Sequence, residues 1–320
     1  MAGGQERILR GRIRSVQATK KITRAMELIA ASRIVKAQQR VAAAVPYSDK
    51  ITEVVKHLSE GGAVSESPFL RGRSEVKTTC YVAITADRGL CGGYNSGVLR
   101  ATEGEVRKDV AAGKNYVIVP VGRKAEGYLR FRGYNITQPF AGFSDNPTHA
   151  DAVAIGQFVV DMFLRGEVDR VELVYTRFVS AGRQEVVRRP LVPLGGDMID
   201  DATSSASSHS AEHSGAAGDY EYEPDPSAIL DTLLPRYVEA RTYAALLNAA
   251  ASEHAFRQRA MKSATDNAEE LIKNLTRVMN RARQDSITTE IMEIVGGAEA
   301  LSSDGDDVVI ESQFVTSDRV

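Results

Sequence analysis

Two long spans without glycine constrain the fold of this chain more than any other feature. No glycine lies between Gly11 and Gly61, and none lies between Gly218 and Gly296. Both spans are rich in Ala, Arg, Lys, Glu, Leu and Gln, which are strong helix formers. At 1.5 Å per residue they predict helices of roughly 70 and 100 Å, far longer than the usual three or four turns. Helices of this length need partners to be stable.

Prolines mark the expected interruptions of these helices. Asp225 followed by Pro226 is typical of a helix N-cap with proline at the first helical position. Pro235 is expected to kink this second helix or to break it early, and Pro46 is placed to kink the first.

The spacing of apolar residues in the second span indicates what kind of partner the helix has. Residues recur there at alternating steps of four and three, which is a period of 3.5 and the signature of a left-handed coiled coil. This mostly apolar seam consists of Ala240, Ala244, Leu247, Ala251, His254, Gln258, Met261, Thr265, Ala268, Ile272, Leu275, Met279 and Ala282.

The first span repeats the same steps, but its N-terminal part departs from them. The seam there consists of Ala30, Ile34, Ala37, Val41, Ala44, Ser48, Ile51, Val55 and Leu58. Extended toward the N-terminus, the row meets only Glu27, Thr23 and Lys20. We therefore expect the apolar stripe to shift to Ile22, Met26 and Ile29, which favours a helix that faces more than one neighbour. An imperfect coiled coil with a stutter fits the spacing equally well.

The chain between the two spans reads as alternating strands and helices. Strands are predicted at residues 78–86, 116–121, 171–179 and 185–194, and helices at 96–112, 123–132 and 149–164. This alternation is typical of a mostly parallel sheet covered by helices. The two long helices are expected to pair with each other, antiparallel, because no other segment offers a seam. The predicted fold class is α/β, with a Rossmann-like sheet domain, plus a long antiparallel α-helical coiled coil.

These patterns divide the chain into five parts. Residues 1–62 form the N-terminal coiled-coil helix, and residues 74–194 form the α/β domain. Residues 195–219, rich in Ser, Ala, Gly, Asp and His, are predicted to be a flexible low-complexity loop. Residues 222–301 form the C-terminal coiled-coil helix, and residues 302–320 form an acidic tail.

Charge is unevenly distributed although the formal net charge is only −2. Between Gln5 and Arg40 ten basic side chains stand against two acidic ones: Arg7, Arg10, Arg12, Arg14, Lys20, Lys21, Arg24, Arg33, Lys36 and Arg40 against Glu6 and Glu27. Such a helix can neutralise nucleic-acid phosphates, or it can face the acidic surface of a protein partner. It lacks interleaved aromatic residues, but the charge count alone fits both alternatives.

Membrane and redox signals are weak. No apolar run approaches the ~20 residues of a membrane span, and the N-terminus has no apolar signal core. Cys80 and Cys91 do not have a metal-binding spacing, so we expect a cytosolic chain with both thiols reduced and buried.

No group of residues suggests catalysis. Residues 89–93 (GLCGG) follow a strand and precede a helix, where α/β proteins bind phosphate, but the spacing is that of neither a Rossmann nor a P-loop motif. A tight turn explains the glycines without a ligand. Cys91 has no evident histidine base, and His209 with His213 lies in the predicted loop. We therefore expect no catalytic, cofactor-binding or metal-binding residue.

Five motifs in order make the chain recognisable. They are KKITRAMELIAASR from Lys20, TADRGLCGGYN from Thr85, YEPDPSAILDTLLPRYVEAR from Tyr222, MKSATDNAEELIKNL from Met261, and ITTEIMEIVGGAEAL from Ile287. Together they closely resemble the γ subunit of F-type ATP synthases of the bacterial type, and the resemblance covers residues 8–301.

The resemblance implies a rotor. In this family the two long helices form an antiparallel coiled coil inside a ring of three α and three β subunits. The α/β domain carries the ε subunit and rests on the membrane ring of c subunits, and a δ subunit belongs to the same complex. The chain is then the central stalk of a proton-translocating ATP synthase, a non-catalytic subunit of a two-sector ATPase. It is peripheral to the cell membrane on its cytoplasmic side. The alternative is a stand-alone coiled-coil protein that binds nucleic acid through its basic helix.

The resemblance also implies roles for individual residues. Contacts with the β subunits are implied for Met26, Arg257, Gln284, Thr288, Glu290 and Glu293. Contacts with the c-ring are implied for Tyr220, Tyr222 and Glu223. Met26 taken alone can instead be a seam methionine. Arg257 flanks the predicted seam beside Gln258, which favours a specific polar contact.

Two features depart from the family. Its members commonly end near the position of Leu301, whereas this chain continues to Val320. The loop 195–219 lies where the chloroplast branch carries a redox-switch insert, but it contains no cysteine, so thiol regulation is not implied.

Overall fold

The computed structural model describes residues 2–60, 69, 73, 75–193 and 226–306. The two glycine-poor spans are continuous helices, α1 (Ala2–Glu60) and, as the last helix described, α5 (Pro226–Asp306). Pro226 is the first residue of α5, as predicted, but the helix continues through Pro235, so the expected early break does not occur. It also passes Leu301 and takes in the first residues of the acidic tail.

Between these helices the predicted alternation is confirmed to within two residues at each end. The elements are β1 (Thr78–Ile84), α2 (Tyr94–Ala111), β2 (Asn115–Val121), α3 (Arg123–Phe131), α4 (His149–Leu164), β3 (Arg170–Phe178) and β4 (Gln184–Val192). Helix α4 begins with a capping box: the Asp151 amide donates to the Thr148 hydroxyl, and the Thr148 amide donates to the Asp151 carboxylate.

The four described strands form one sheet in the order β2-β1-β3-β4. Strand β1 is parallel to both β2 and β3, and β4 is antiparallel to β3. The predicted mostly parallel sheet is therefore confirmed. Its antiparallel edge arises because β3 and β4 are joined by a short hairpin rather than by a crossover helix.

Side chains alternate between the two faces of β1, and each face has its own core. Tyr81 and Ala83 pack with residues of α2 and α3. Val82 and Ile84 pack on the other face with residues of α4, the C-terminal part of α1 and the N-terminal part of α5. The long helices thus cover one face of the sheet within their own compact unit.

The chain divides into two compact units. One is Ala25–Lys262, which contains the sheet, and the other combines Met1–Arg24 with Ser263–Val320. In each unit α1 and α5 pair in an antiparallel manner. Thr23 contacts Thr265 and Lys20 contacts Glu269 in the smaller unit, and Arg40 contacts Tyr243 in the larger one.

Candidate functional site

The seam of α5 lies where the 3.5-residue period predicts it. The residues from Ala240 to Ala268 at seam positions are buried or half-buried, and the seam weakens to half-buried side chains from Ile272 onward. His254 is a seam member and is only 2% exposed.

The predicted shift of the α1 stripe is wrong. Ile22 and Ile29 are 61% and 54% exposed, whereas Thr23 and Glu27 are buried. The seam keeps its steps of four and three and simply continues through polar residues, back to buried Ile13 and Leu9. No stutter is needed. The exposed isoleucines are left on a face that α5 does not cover.

Polar seam residues are tolerated because they find partners across the helix pair. The Thr23 and Thr265 hydroxyls lie 2.8 Å apart, and the Thr23 hydroxyl also donates to the Lys20 carbonyl. Lys20 Nζ lies 3.1 Å from Glu269 Oε2, and this hydrogen bond lowers the pKa of Glu269. Polar seam positions of this kind fix the register of a coiled coil at some cost in stability.

The last part of α5 has no partner helix in the described chain. The antiparallel register places the first residue of α1 opposite Ser286, and every side chain from Ile287 to Leu301 is exposed. Several of these are large and apolar, including Ile291, Ile294 and Leu301. An exposed apolar surface on a single helix marks a site of contact with another protein.

Of the four acidic or polar residues implied here, Thr288, Glu290 and Glu293 lie on that exposed part of α5, and Gln284 lies just before it. Gln284, Thr288, Glu290 and Glu293 are all exposed, and the Thr288 hydroxyl donates to the Gln284 carbonyl at 3.0 Å. Their side chains are therefore accessible. Met26 is half-buried beside the seam and is not a seam residue.

Arg257 lies inside the chain. It is 9% exposed, and its guanidinium lies 2.6 Å from the carboxylate of Glu253, one helical turn earlier. Burial raises the pKa of Glu253, and Arg257 opposes that rise. A second guanidinium contact, at 3.4 Å, is with the Gly89 carbonyl. The polar contact expected at Arg257 is thus made with its own chain.

The loop of the TADRGLCGGYN motif is organised by Asp87. Its carboxylate accepts hydrogen bonds from the amides of Gly142, Ser144 and Arg123 at 2.8, 3.0 and 3.1 Å. Gly92 has a positive φ of 53°, and a Cβ there would contact Ala260 and Phe256 of α5. Gly92 therefore makes a tight turn against α5.

Neither cysteine is a reactive thiol. Both are buried and free. Burial raises the pKa of Cys80 to about 12 and also raises that of Cys91, whose sulfur accepts a hydrogen bond from the Asn95 amide.

The described histidines also serve the structure. His254 is buried, and burial lowers its pKa. The His149 ring packs edge-on against Tyr243.

Metal sites and membrane spans are absent from the described part of the chain. No group of its His, Cys, Asp or Glu residues could hold a metal ion, and none of its helices has an apolar stretch that could span a membrane. His209 and His213 lie outside the described residues.

The ten basic side chains between Gln5 and Arg40 divide into two sets. Five of them interact with groups of the chain itself: Arg10, Lys20, Arg24, Arg33 and Arg40. The other five have no ion-pair partner among the described residues, so they can meet acidic groups of another molecule: Arg7, Arg12, Arg14, Lys21 and Lys36.

The implied c-ring contacts at Tyr220, Tyr222 and Glu223 lie outside the described residues.

Sequence reasoning missed the residues that connect the long helices to the sheet domain. The sequence does not single out Asp145, because its partners Arg33 and His254 lie far away along the chain. It does not single out Glu253, because its partner Arg257 lies beside the predicted seam and not on it. Asp87 belongs to the TADRG motif, but the motif does not show which backbone amides donate hydrogen bonds to the Asp87 carboxylate.

Comparisons with known proteins agree over most of the chain. A sequence profile of the family described as ATP synthase matches residues 5–301. The ATP synthase gamma chain of Frankia casuarinae is 49% identical over 304 residues, which cover 94% of this chain and 99% of the relative. The central stalk in the Tetrahymena thermophila mitochondrial ATP synthase, solved with its c-ring, is 26% identical. The alignment covers 76% of this chain and 99% of that one, with a TM-score of 0.55. A chain of the Euglena gracilis mitochondrial ATP synthase has the same fold, at 18% identity, a TM-score of 0.65 and coverage of 98% and 100%.

Proposed function

This chain belongs to the family of ATP synthase gamma chains, and we propose that it is the central rotor of a bacterial F-type ATP synthase. It turns inside a ring of three α and three β subunits. The observation that carries this proposal is the last part of α5, residues 287–301, which has no partner helix in the described part of the chain and exposes apolar side chains such as Ile291, Ile294 and Leu301. An exposed apolar surface of this kind marks a site of contact with another protein. No feature of the described residues favours the nucleic-acid alternative over this one.

The chain couples rotation to nucleotide affinity because its surface differs from one side to the other. One face of α1 carries exposed Ile22 and Ile29, and other positions carry unpaired cations such as Lys21. Each β subunit therefore meets a different surface, and its affinity for ATP or ADP differs accordingly. A tenfold difference in affinity corresponds to about 1.4 kcal/mol. Because this coupling is reciprocal, nucleotide binding turns the rotor and rotation changes nucleotide binding.

The β subunits are contacted through accessible side chains. Met26, Gln284, Thr288, Glu290 and Glu293 are partly or fully exposed and are suited to direct contact. Arg257 is buried, so we propose that it acts mainly by holding Glu253 and the Gly89 carbonyl. The chain itself makes and breaks no bond, and catalysis belongs to the β subunits.

The rotor also meets the membrane part of the complex. Tyr220, Tyr222 and Glu223 contact the c-ring, and the α/β domain carries the ε subunit. A δ subunit completes the same complex. The chain is peripheral to the cell membrane on its cytoplasmic side and is driven there by proton flow through the c-ring.

The proposal is tested by purification of the native complex. We expect the tagged chain, isolated from gently solubilised membranes, to carry three α and three β subunits per copy together with ATPase activity. The complex is washed at high salt, which removes proteins and nucleic acid held only by exposed charge. Recovery of the chain alone, or with nucleic acid and without α and β, would contradict the proposal. An untagged strain is the control.

A further inference from the structure

A short loop before α4 binds both long helices. The carboxylate of Asp145 lies 2.7 Å from Arg33 of α1, and its main-chain carbonyl lies 3.1 Å from His254 Nε2 of α5. The next two residues bind Arg40 of α1, through the Asn146 side-chain oxygen and the Pro147 carbonyl. We name residues 144–147, with these contacts, the clasp. All of its partners belong to the unit Ala25–Lys262.

The clasp is itself fixed to the sheet domain. The Asp87 amide donates to the Ser144 hydroxyl at 2.8 Å, and the Ser144 amide donates to the Asp87 carboxylate at 3.0 Å. Asp87 follows β1 closely, so this exchange ties the clasp to the central strand. At its other end the clasp leads directly into the capping box of α4 at Thr148. A force on the clasp is therefore borne by β1 and α4.

The face of α5 that points away from His254 is bound by β3 and by the β3–β4 hairpin. The Phe178 amide donates to the Asn248 side-chain oxygen at 3.2 Å, and the Ser252 hydroxyl donates to the Thr176 carbonyl at 3.0 Å. Arg259 donates to the carbonyls of the β3–β4 hairpin at 3.2 and 3.1 Å. At about 100° per residue these three α5 positions share one face, and His254 lies on the opposite side. Helix α5 thus makes polar contacts with the domain on two faces.

Apolar packing does not supply the same restraint at the clasp. A cavity of about 270 Å³ lies there, lined by residues of the clasp and their partners together with Ala37, Leu247 and Ala250. The clasp bridges a space that side chains do not fill. Hydrogen bonds and ion pairs are directional, whereas the hydrophobic effect is not. The polar contacts of the clasp therefore add a directional restraint on rotation of α1 and α5 relative to the domain at this level.

We propose that the clasp transmits torque from the α/β domain to the helix pair, with Arg33, Arg40 and His254 as positioning residues. This inference rests on the proposed rotor function. Arg33 and Arg40 are seven residues apart, so they occupy the same heptad position, and both reach the same loop. The clasp holds α1 at two points and α5 at a third, which locks the pair as a unit. A rotor driven from its α/β end needs such a lock where the helices leave the domain.

The test measures torsional stiffness in the assembled complex. A bead is attached through a cysteine introduced at Lys108, an exposed residue of α2, and the β subunits are fixed to a surface. The angular fluctuations of the bead are recorded while the enzyme is stalled with MgADP. For the Arg33→Met/Arg40→Met variant we expect the angular variance to rise roughly twofold, because two of the three side-chain links to the clasp are lost. ATP hydrolysis without load stays near the wild-type rate.

Matched variants separate torque transmission from ordinary stabilisation. Arg130→Met/Arg165→Met removes two exposed ion pairs of the same domain that contact neither long helix. It should leave the variance unchanged. Asp145→Asn is the milder variant, which loses the ion pair with Arg33 and keeps the carbonyl that faces His254; it should give an intermediate variance. Arg40→Lys should restore part of the stiffness.

The outcomes are distinguishable. Equal variance in the clasp variants and in wild type, with assembled and active complexes, would overturn the clasp inference and leave the rotor proposal intact. A variance that rises as much in Arg130→Met/Arg165→Met would also overturn it. A wild-type complex that hydrolyses ATP without turning the bead would contradict the rotor proposal, and the clasp inference would fall with it.

Discussion

Arg257 and Glu253 lie one helical turn apart on α5, and both are buried. A buried ion pair contributes little net stability, but removing one partner leaves an uncompensated charge in a poorly solvated site. Glu253 already has one carboxylate oxygen without a hydrogen-bond partner among the described residues. The pair therefore depends on Arg257, and the residue's importance does not require contact with another subunit.

Arg257→Ala should destabilise the full chain by about 3 kcal/mol at neutral pH. Burial raises the pKa of Glu253 in the folded chain, so this group favours folding below its unfolded pKa, and that contribution is lost as the pH rises through the folded pKa. Arg257 opposes the rise, so its removal should make the loss larger. We expect the loss of unfolding free energy in Arg257→Ala to grow as the pH rises above the unfolded pKa of Glu253, as measured by urea unfolding.

The double variant Glu253→Gln/Arg257→Ala is the control for this prediction. It has no carboxylate at position 253 to titrate, so the free energy of unfolding that it loses relative to wild type should depend much less on pH. If the free energy lost by Arg257→Ala stays constant or shrinks as the pH rises, Glu253 is not the group that Arg257 compensates.

At the scale of elements, the two long helices differ in how much of their length is paired. Helix α1 contacts α5 along a seam that includes polar Lys20, Thr23 and Glu27, whereas α5 has no partner helix beyond Ser286 among the described residues. A helix without a partner helix gains little stability from propensity alone. We therefore expect the last part of α5 to contribute to assembly and not to the stability of the chain.

Removal of residues 287–320 should leave the unfolding midpoint of the chain within about 2 °C of wild type. It should weaken association with α and β subunits at least tenfold, since exposed isoleucines and Leu301 lose their apolar contacts, and tenfold corresponds to about 1.4 kcal/mol. Calorimetry and quantitative reconstitution measure the two effects. Removal of 302–320 alone, beyond the residues that match the family, is the control and should affect neither.

A large drop in the unfolding midpoint on removal of 287–320 would mean that the bare helix packs within the chain. Unchanged association would mean that the exposed apolar residues are not a contact surface.

The sequence predicts the elements better than it predicts how they are joined. Period and glycine content locate α1, α5 and the strands, because these signals are local. The sequence mispredicts the α1 stripe because Thr23 and Glu27 are polar, whereas their burial depends on partners such as Thr265, which lies 242 residues from Thr23. The clasp could not be predicted for the same reason: Asp145 and Arg33 are 112 residues apart, and neither carries a local signal.

At the scale of the whole molecule, the rotor proposal requires two properties of one chain. Its long helices must be attached to the sheet domain by directional contacts, and its outer surface must be able to contact three similar partners in turn. The attachment comes from hydrogen bonds between α5 and the sheet domain and from the clasp. The outer surface consists of separated apolar side chains, such as Ile22 and Ile29, among unpaired cations. Scattered contacts of this kind can be exchanged between three similar partners, whereas a continuous apolar interface would favour one position strongly.

Direct observation of rotation tests the central claim. Complexes of this chain with its α and β subunits are fixed to a surface through β, and a bead is attached at the cysteine introduced at Lys108. Cys80 and Cys91 are buried and do not compete for the label. With ATP present, we predict that the bead rotates continuously in one direction, in three equal steps per turn. ATP hydrolysis at a normal rate with a bead that only fluctuates about a fixed angle would contradict the account.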